Sequence, residues 1–227
     1  MKKALLFLVL AGFNFSVFLF SDEPWPSESW LLLGFEYGNF FDSYSDKGST
    51  IKSYTGSPGI NLGGYRFWNG KNIGFFIHDL FAFPVTASAE VNGVTTKKDL
   101  SNSFFLMQVG IIVGPGFRYN LSERFKLKYA VGLGFLLTTN FYTESTPLHG
   151  NDVYAMQSWS FGIGGDLGIK FDITNIVFLT AGSIFTFDFA SYMDVETPYG
   201  SSSGWADKYF MFGLRPYIAA GMNLYWK

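Results

Sequence analysis

Charged residues make up only 15% of this 227-residue chain, so where they fall matters. Nine of them lie in stretches of alternating polarity and share the phase of the small residues. They are Glu36, Asp166, Asp172 and Asp188 on the acidic side, and Arg118, Lys126, Lys128, Lys170 and Arg215 on the basic side. Near-balanced charges brought onto one face of a closed sheet can do two things. They can pair and fill a confined interior, because an unpaired buried charge is expensive. Alternatively they can line a narrow water-filled passage, for which Gly110, Gly114, Gly132, Gly134, Gly162, Gly164 and Gly168 on the same phase leave room.

Groups for acid–base or nucleophilic work are sparser. The two histidines are His78 and His149, the latter in a polar stretch with Glu144, Ser145 and Asp152. With no cysteine there is no disulfide, thiolate metal site, thiol nucleophile or lipid-anchored N-terminal cysteine. Phosphate loops and metal-ligand spacings are missing, so no cofactor is implied. A net charge of −2 gives no case for nucleic acid. The acids Glu144, Asp152, Asp194, Glu196 and Asp207 fall in polar connections. There they read as solvated loops, or as groups that meet cations or an external ligand.

The elements that carry these residues are strands. Phe125–Phe141 reads FKLKYAVGLGFLLTTNF, with bulky apolar residues on odd positions and small or charged ones on even positions. Successive strand side chains point to opposite faces, and this run exceeds the usual strand of about 5–6 residues. Bulk on one face with charge and glycine on the other is the inverse of a soluble barrel, and suits a barrel whose outside is lipid. Similar runs occur at Trp30–Phe41, Pro58–Trp68, Ile73–Pro84, Ser103–Leu121, Met156–Ile173, Ile176–Tyr192 and Lys208–Trp226. The seven connections alternate long and short, beginning long. The fold class expected is therefore all-β: an eight-stranded antiparallel up-and-down transmembrane β-barrel, with the first strand pairing the eighth and both termini at the short-turn side.

Residues 1–21 read as a signal peptide, a basic start and an apolar run ending at Ser21. Residues 22–29 read as an irregular lead-in with Pro24 and Pro26, and residues 30–227 as the barrel. Asn69-Gly70 and Asn92-Gly93 mark tight turns, the second within a hairpin that continues beyond the membrane. Two bulges are expected: one at His78-Asp79, to keep Asp79 out of lipid, and one at Pro115, which cannot donate to a ladder. Interface aromatics are Trp68, Phe125, Phe171 and Trp226 at the short-turn rim, and Phe141, Trp159 and Phe189 at the other. Glu36 and Arg215, on neighbouring strands of the closed ring, are expected to bond directly or through Asp166 or Asp188.

The last strand, IAAGMNLYW, alternates Ile218, Ala220, Met222, Leu224 and Trp226 up to a near-terminal aromatic. This pattern resembles the assembly signal of outer-membrane proteins, and the strand organisation resembles the small outer-membrane barrels of the OmpA-transmembrane, OmpX and OmpW type. The chain departs from them in ending Trp226-Lys227 where those commonly end on Phe. The resemblance implies a bacterial outer-membrane location with periplasmic termini, membrane lipid as surroundings, and the outer-membrane assembly machinery as a partner of the last strand. It also implies possible extracellular ligands at the long loops. Some barrels of this architecture modify lipid A, but the His-x-Ser arrangement of barrel deacylases is absent from His149-Gly150-Asn151. The expectation is thus a non-catalytic surface protein or narrow pore, with a lipid-modifying enzyme or an adhesin as alternatives.

Overall fold

The computed structural model describes residues 27–46, 49–68, 70–91, 93–97, 100, 103–146 and 150–226. The expected signal peptide, residues 22–26 of the lead-in, His149 and the turn residues Asn69 and Asn92 lie outside the described residues. The strands are β1 (Ser27–Asp46), β2 (Ser49–Trp68), β3 (Ile73–Ala82), β4 (Thr86–Val91), β5 (Val94–Lys97) and β6 (Ser103–Asn120). They continue with β7 (Phe125–Thr146), β8 (Gly150–Asp172), β9 (Val177–Thr197), β10 (Gly200–Trp205) and β11 (Asp207–Trp226).

Eight of these form a closed antiparallel ring in the order β1, β2, β3, β6, β7, β8, β9, β11. Closure is made by β11 on β1, from Ser27 opposite Trp226 to Ser45 opposite Asp207. Alternation sets the two faces. Leu133 and Phe35 are each 71% exposed on the outside, while Glu36 is 5% exposed within. Glycine lets strands approach closely at one inner position: a Cβ on Gly132 would lie 2.1 Å from the Val113 carbonyl oxygen, and one on Gly114 2.5 Å from the Gly132 Cα.

The short connections are tight turns. Gly70 has φ 65°, and Val177 N–H donates to Thr174 Oγ1 at 2.9 Å. At the opposite end the polar stretches read as loops are mostly paired strand. Thr143 faces Val153 across β7–β8, and Ser43 faces Lys52 across β1–β2. Most of residues 193–207, a Gly/Ser-rich stretch that reads as a loop, forms the β9–β10 hairpin, in which Tyr192–Thr197 pair Gly200–Trp205, while Asp207 opens β11. The β4–β5 hairpin turns at Gly93, whose φ is 82°. It is tied to β2 by Lys52 and Glu90 at 2.8 Å, beyond the apolar band, and that bond holds the Lys52 ammonium above its ordinary value.

Several details differ from the sequence reading. The first strand begins at Ser27, so Ser27–Ser29 belong to the wall and not to the lead-in. No bulge interrupts β3. Its pairing runs unbroken from Gly59 opposite Ala82 to Phe67 opposite Gly74, and Asp79 stays on the outward phase between Leu62 and Ile111. A bulge there would have turned Leu80 and Ala82 outward, whereas both pack inside against Phe40. Keeping those apolar residues in thus leaves one acid on the outer phase. Pro115 forces no bulge either. The register of β6 on β7 is the same on both sides of it, and the ladder simply omits Gly114 and Pro115. Pro216 is treated alike, since β1–β11 pairing omits Arg215 and Pro216 without a shift. A bulge does occur within β9, where Phe161 pairs Ala190 and Gly162 pairs Asp188, which leaves Phe189 unpaired and 66% exposed; the register also shifts near the strand ends at Ser43–Ser45 and Ser103–Phe105. Beyond Phe189 the inward phase of β9 moves from even to odd positions.

One seam has no ladder. β3 pairs β6 only as far as Ala82 opposite Gln108. Above that level β4 continues on β2 and β5, while β6 continues on β7, and no pairing joins β4 or β5 to β6 among the described residues.

Candidate functional site

The interior is built in layers, starting at the short-turn end. Glu28 is ion-paired to Arg118 and accepts from Trp30 Nε1 at 2.6 Å. Trp30 is 1% exposed and packs on Phe67 with ring centroids 4.6 Å apart. Arg118 lies 4.5 Å from the Phe67 ring centroid, and Lys170 lies 4.5 Å from those of both Trp30 and Phe178. Beside this aromatic block, Asp172 is ion-paired to Lys170 and to Lys126 at 2.5 Å, and it accepts from Asn223 Nδ2 at 3.0 Å.

The next layer is centred on Asp166. Its carboxylate is ion-paired to Lys128 and accepts from the hydroxyls of Tyr65 at 2.6 Å and Tyr217 at 2.8 Å. Above it, Glu36 lies 3.3 Å from Arg215 Nη1, accepts from Asn61 Nδ2 at 3.3 Å, and lies 3.6 Å from His78 Nε2. Asp188 accepts from Ser160 Oγ at 2.6 Å. Charge removed from water this far must be matched locally, and each of these carboxylates has an ammonium, guanidinium or hydroxyl within bonding reach.

A belt of Phe40, Leu80, Ala82, Leu136 and Met211 then closes over the charges. Between belt and charges there is a void of about 10 Å³ bounded by Ile112, Thr186, Asp188 and Arg215, at most one water in size. Above the belt, toward the long hairpins, a partly open cavity of about 260 Å³ remains. Its lining mixes Ser158, Thr138 and Asn140 with Leu136, Met156 and Met193, and Pro84, Leu100 and Leu106 line it by the seam between β4 and β6.

The nine charged residues singled out from sequence thus sit within one stack below the belt. Their partners were not anticipated. Glu28 was placed in the lead-in, and its cation comes from β6, on another part of the ring. Tyr65, Tyr217, Asn61 and Asn223 bind through uncharged polar groups that alternation does not mark out. His78 was visible as one of two histidines but not as a neighbour of Glu36. Among the described residues no three His, Asp or Glu side chains gather to hold a metal ion.

On the outer wall, Phe125 and Phe171 lie 4.8 Å apart beside the short turns, and Trp68 is 44% exposed there. Trp226 pairs Ser27 at the same rim. Trp159 lies 5.6 Å from Phe135, and Phe141 and Phe189 fall on the long-hairpin side of their strands.

No family model matches the chain, and no curated protein sequence does. Solved structures do. OprG of Pseudomonas aeruginosa is 11% identical, with a TM-score of 0.56 over 87% of this chain and 96% of that one. A major outer membrane protein of Thermus thermophilus is 10% identical, with a TM-score of 0.52 over 85% and 99%. The outer membrane protein AlkL in lipid bilayers is 12% identical, with a TM-score of 0.52 over 90% and 93%. At such identities the likeness is one of fold, and it is the fold of small bacterial outer-membrane β-barrels.

Proposed function

We propose that this chain is an integral protein of the bacterial outer membrane that works as a closed, non-catalytic barrel presenting a small cup to the outside. In this reading the short turns and the barrel termini are periplasmic and the long paired hairpins project outward, the arrangement usual for such barrels. The observation that carries it is the contrast along the interior: ion-paired and aromatic layers fill the periplasmic half, and the cavity of about 260 Å³ lies above the Phe40–Leu136–Met211 belt. An eight-stranded barrel encloses about enough room for its own side chains, so leaving that volume unfilled at one end points to a ligand and not to a through-passage.

Catalysis has no support from the histidine inside the wall. His78 is 1% exposed, enclosed by Glu36 and the Tyr217 ring, away from any lipid headgroup. The partners of this reading are membrane lipid along the apolar wall, a ligand at the hairpin end, and the assembly machinery. The last would take hold of β11, whose outward side chains include Ile218 and Met222. Planar-bilayer recording on the refolded protein tests the closed barrel. No discrete conductance steps are expected, and reproducible single-channel steps would overturn it.

A further inference from the structure

We infer that the cavity is a binding site for a small organic ammonium ion, whose charge is met by Asp42 inside a partial cage of Phe40, Tyr44, Tyr209 and Met211. The inference rests on the reading of the barrel as a closed cup and adds the chemical class of what the cup holds.

The strand geometry assembles the cage. Phe40, Asp42 and Tyr44 alternate along β1 and share its inward face. Met211 is the partner of Asp42 across β1–β11, and Tyr209 precedes it by two on the same face of β11. All five line the cavity. Asp42 is the one carboxylate among the described lining residues, and no lysine, arginine or histidine stands with it.

That sets Asp42 apart from most acids below the belt. Glu28, Glu36, Asp166 and Asp172 each meet a lysine or arginine inside the barrel, while Asp188, bonded by Ser160, borders the same small void as Arg215. Asp42 instead accepts a hydrogen bond from Ser53 Oγ at 2.5 Å, which orients the carboxylate, and no cation is bonded to it among the described residues. A second acceptor lines the same cavity from β7, across the ring from β1: Asn140 is 5% exposed, and its Oδ1 has no hydrogen-bond partner among the described residues. An N–H or O–H of the ligand could meet it.

The composition of the cage selects among cations. Ca²⁺ and Mg²⁺ take about six or more oxygen ligands, several of them usually carboxylates, whereas this lining offers one carboxylate, its other side-chain oxygens being neutral hydroxyls and amides. Ring faces attract alkylammonium and quaternary ammonium groups, and thioethers are soft and adaptable against such bodies. Anionic ligands would meet Asp42 with no balancing cation. The volume admits a small molecule and not a polymer.

The test uses the full barrel refolded in uncharged maltoside micelles with methyl-labelled methionines. Choline is the probe, and the control is its neutral carbon isostere, in which a tert-butyl group replaces trimethylammonium. Choline should produce saturable shifts of the Met211 and Met193 methyls and leave Met222, on the outer wall, unmoved. The isostere should bind at least about tenfold more weakly, a difference of about 1.4 kcal/mol. Asp42→Asn should cost choline a similar factor while the unheated gel mobility stays that of the folded barrel. Should Asp42→Asn not fold, Tyr209→Leu, which keeps the carboxylate, carries the same test with a smaller loss. The inference is overturned if choline gives no saturable shift, if the isostere binds as tightly, or if the variants bind choline unchanged. Conductance of the same preparation is an independent readout: steps there would remove the closed cup, whereas an isostere that binds as well as choline removes only the ammonium.

Discussion

Below the apolar belt, Asp166 gathers Lys128, Tyr65 and Tyr217; above it, Asp42 meets Ser53. Both are carboxylates on the inward face of the same barrel, yet the first has three bonded partners and the second a single serine hydroxyl beside a cavity. The lower half carries bulk, with Trp30, Phe67, Phe76 and Phe178 all at 1% exposure or less. The upper half is lined with serine, threonine and methionine, which leave the volume open. In the closed-cup reading, the comparison teaches that a barrel of this size is sealed by its large side chains and its matched charges together. A half that is given neither is a receptacle.

Breaking the lower half should have the largest effect. Asp166→Ala removes the acceptor of three groups and strands the Lys128 ammonium, which is 1% exposed. A loss of about 3–5 kcal/mol is expected, read by urea unfolding of the refolded protein in lipid vesicles. A loss below about 1 kcal/mol, the level of an exposed pair, would mean that the stack is not coupled. Glu36→Gln keeps shape but removes the charge facing Arg215 at 3.3 Å. Its expected cost is about 2 kcal/mol in the same assay, and an unchanged urea midpoint would show that Arg215 has adequate partners elsewhere. In the upper half, Asn140→Leu replaces an amide whose oxygen lacks a partner, so stability should move by no more than about 0.5 kcal/mol. A large loss there would erase the distinction between the two halves.

Much of the wall was legible in the sequence because lipid imposes contrast. Where one face meets hydrocarbon and the other meets charge, alternation is strong, and Leu133 and Gly134 mark out and in without ambiguity. Beyond the bilayer both faces are wet and the contrast vanishes. Thr143 to Thr146 and Gly150 to Val153 therefore looked like loop although they pair residue for residue. The bulges misled for a related reason. Asp79 was judged by its own polarity, but register is set by all residues of a strand together, and Leu80 and Ala82 outweighed it. The charged stack was legible as a set of residues and not as a set of bonds. Which acid meets which base depends on stagger and on side chains that cross the lumen, as Arg118 on β6 and Glu28 on β1 show. The cavity left no mark at all, since an unfilled volume is a property of how eight strands are staggered and of no single stretch.

The β1–β11 seam has a consequence for the order of events in folding. Ser27 and Trp226 are paired neighbours although nearly the whole described chain separates them. Seven of the eight wall pairings join strands that follow one another along the wall, but the ring cannot seal until β11 finds β1. Contacts so remote in sequence form slowly. Until then β1 and β9 each present an unpaired row of N–H and C=O groups, the kind of edge that recruits other chains. The route to the membrane must therefore keep those two edges apart from other proteins for the whole interval between the synthesis of β1 and the arrival of β11.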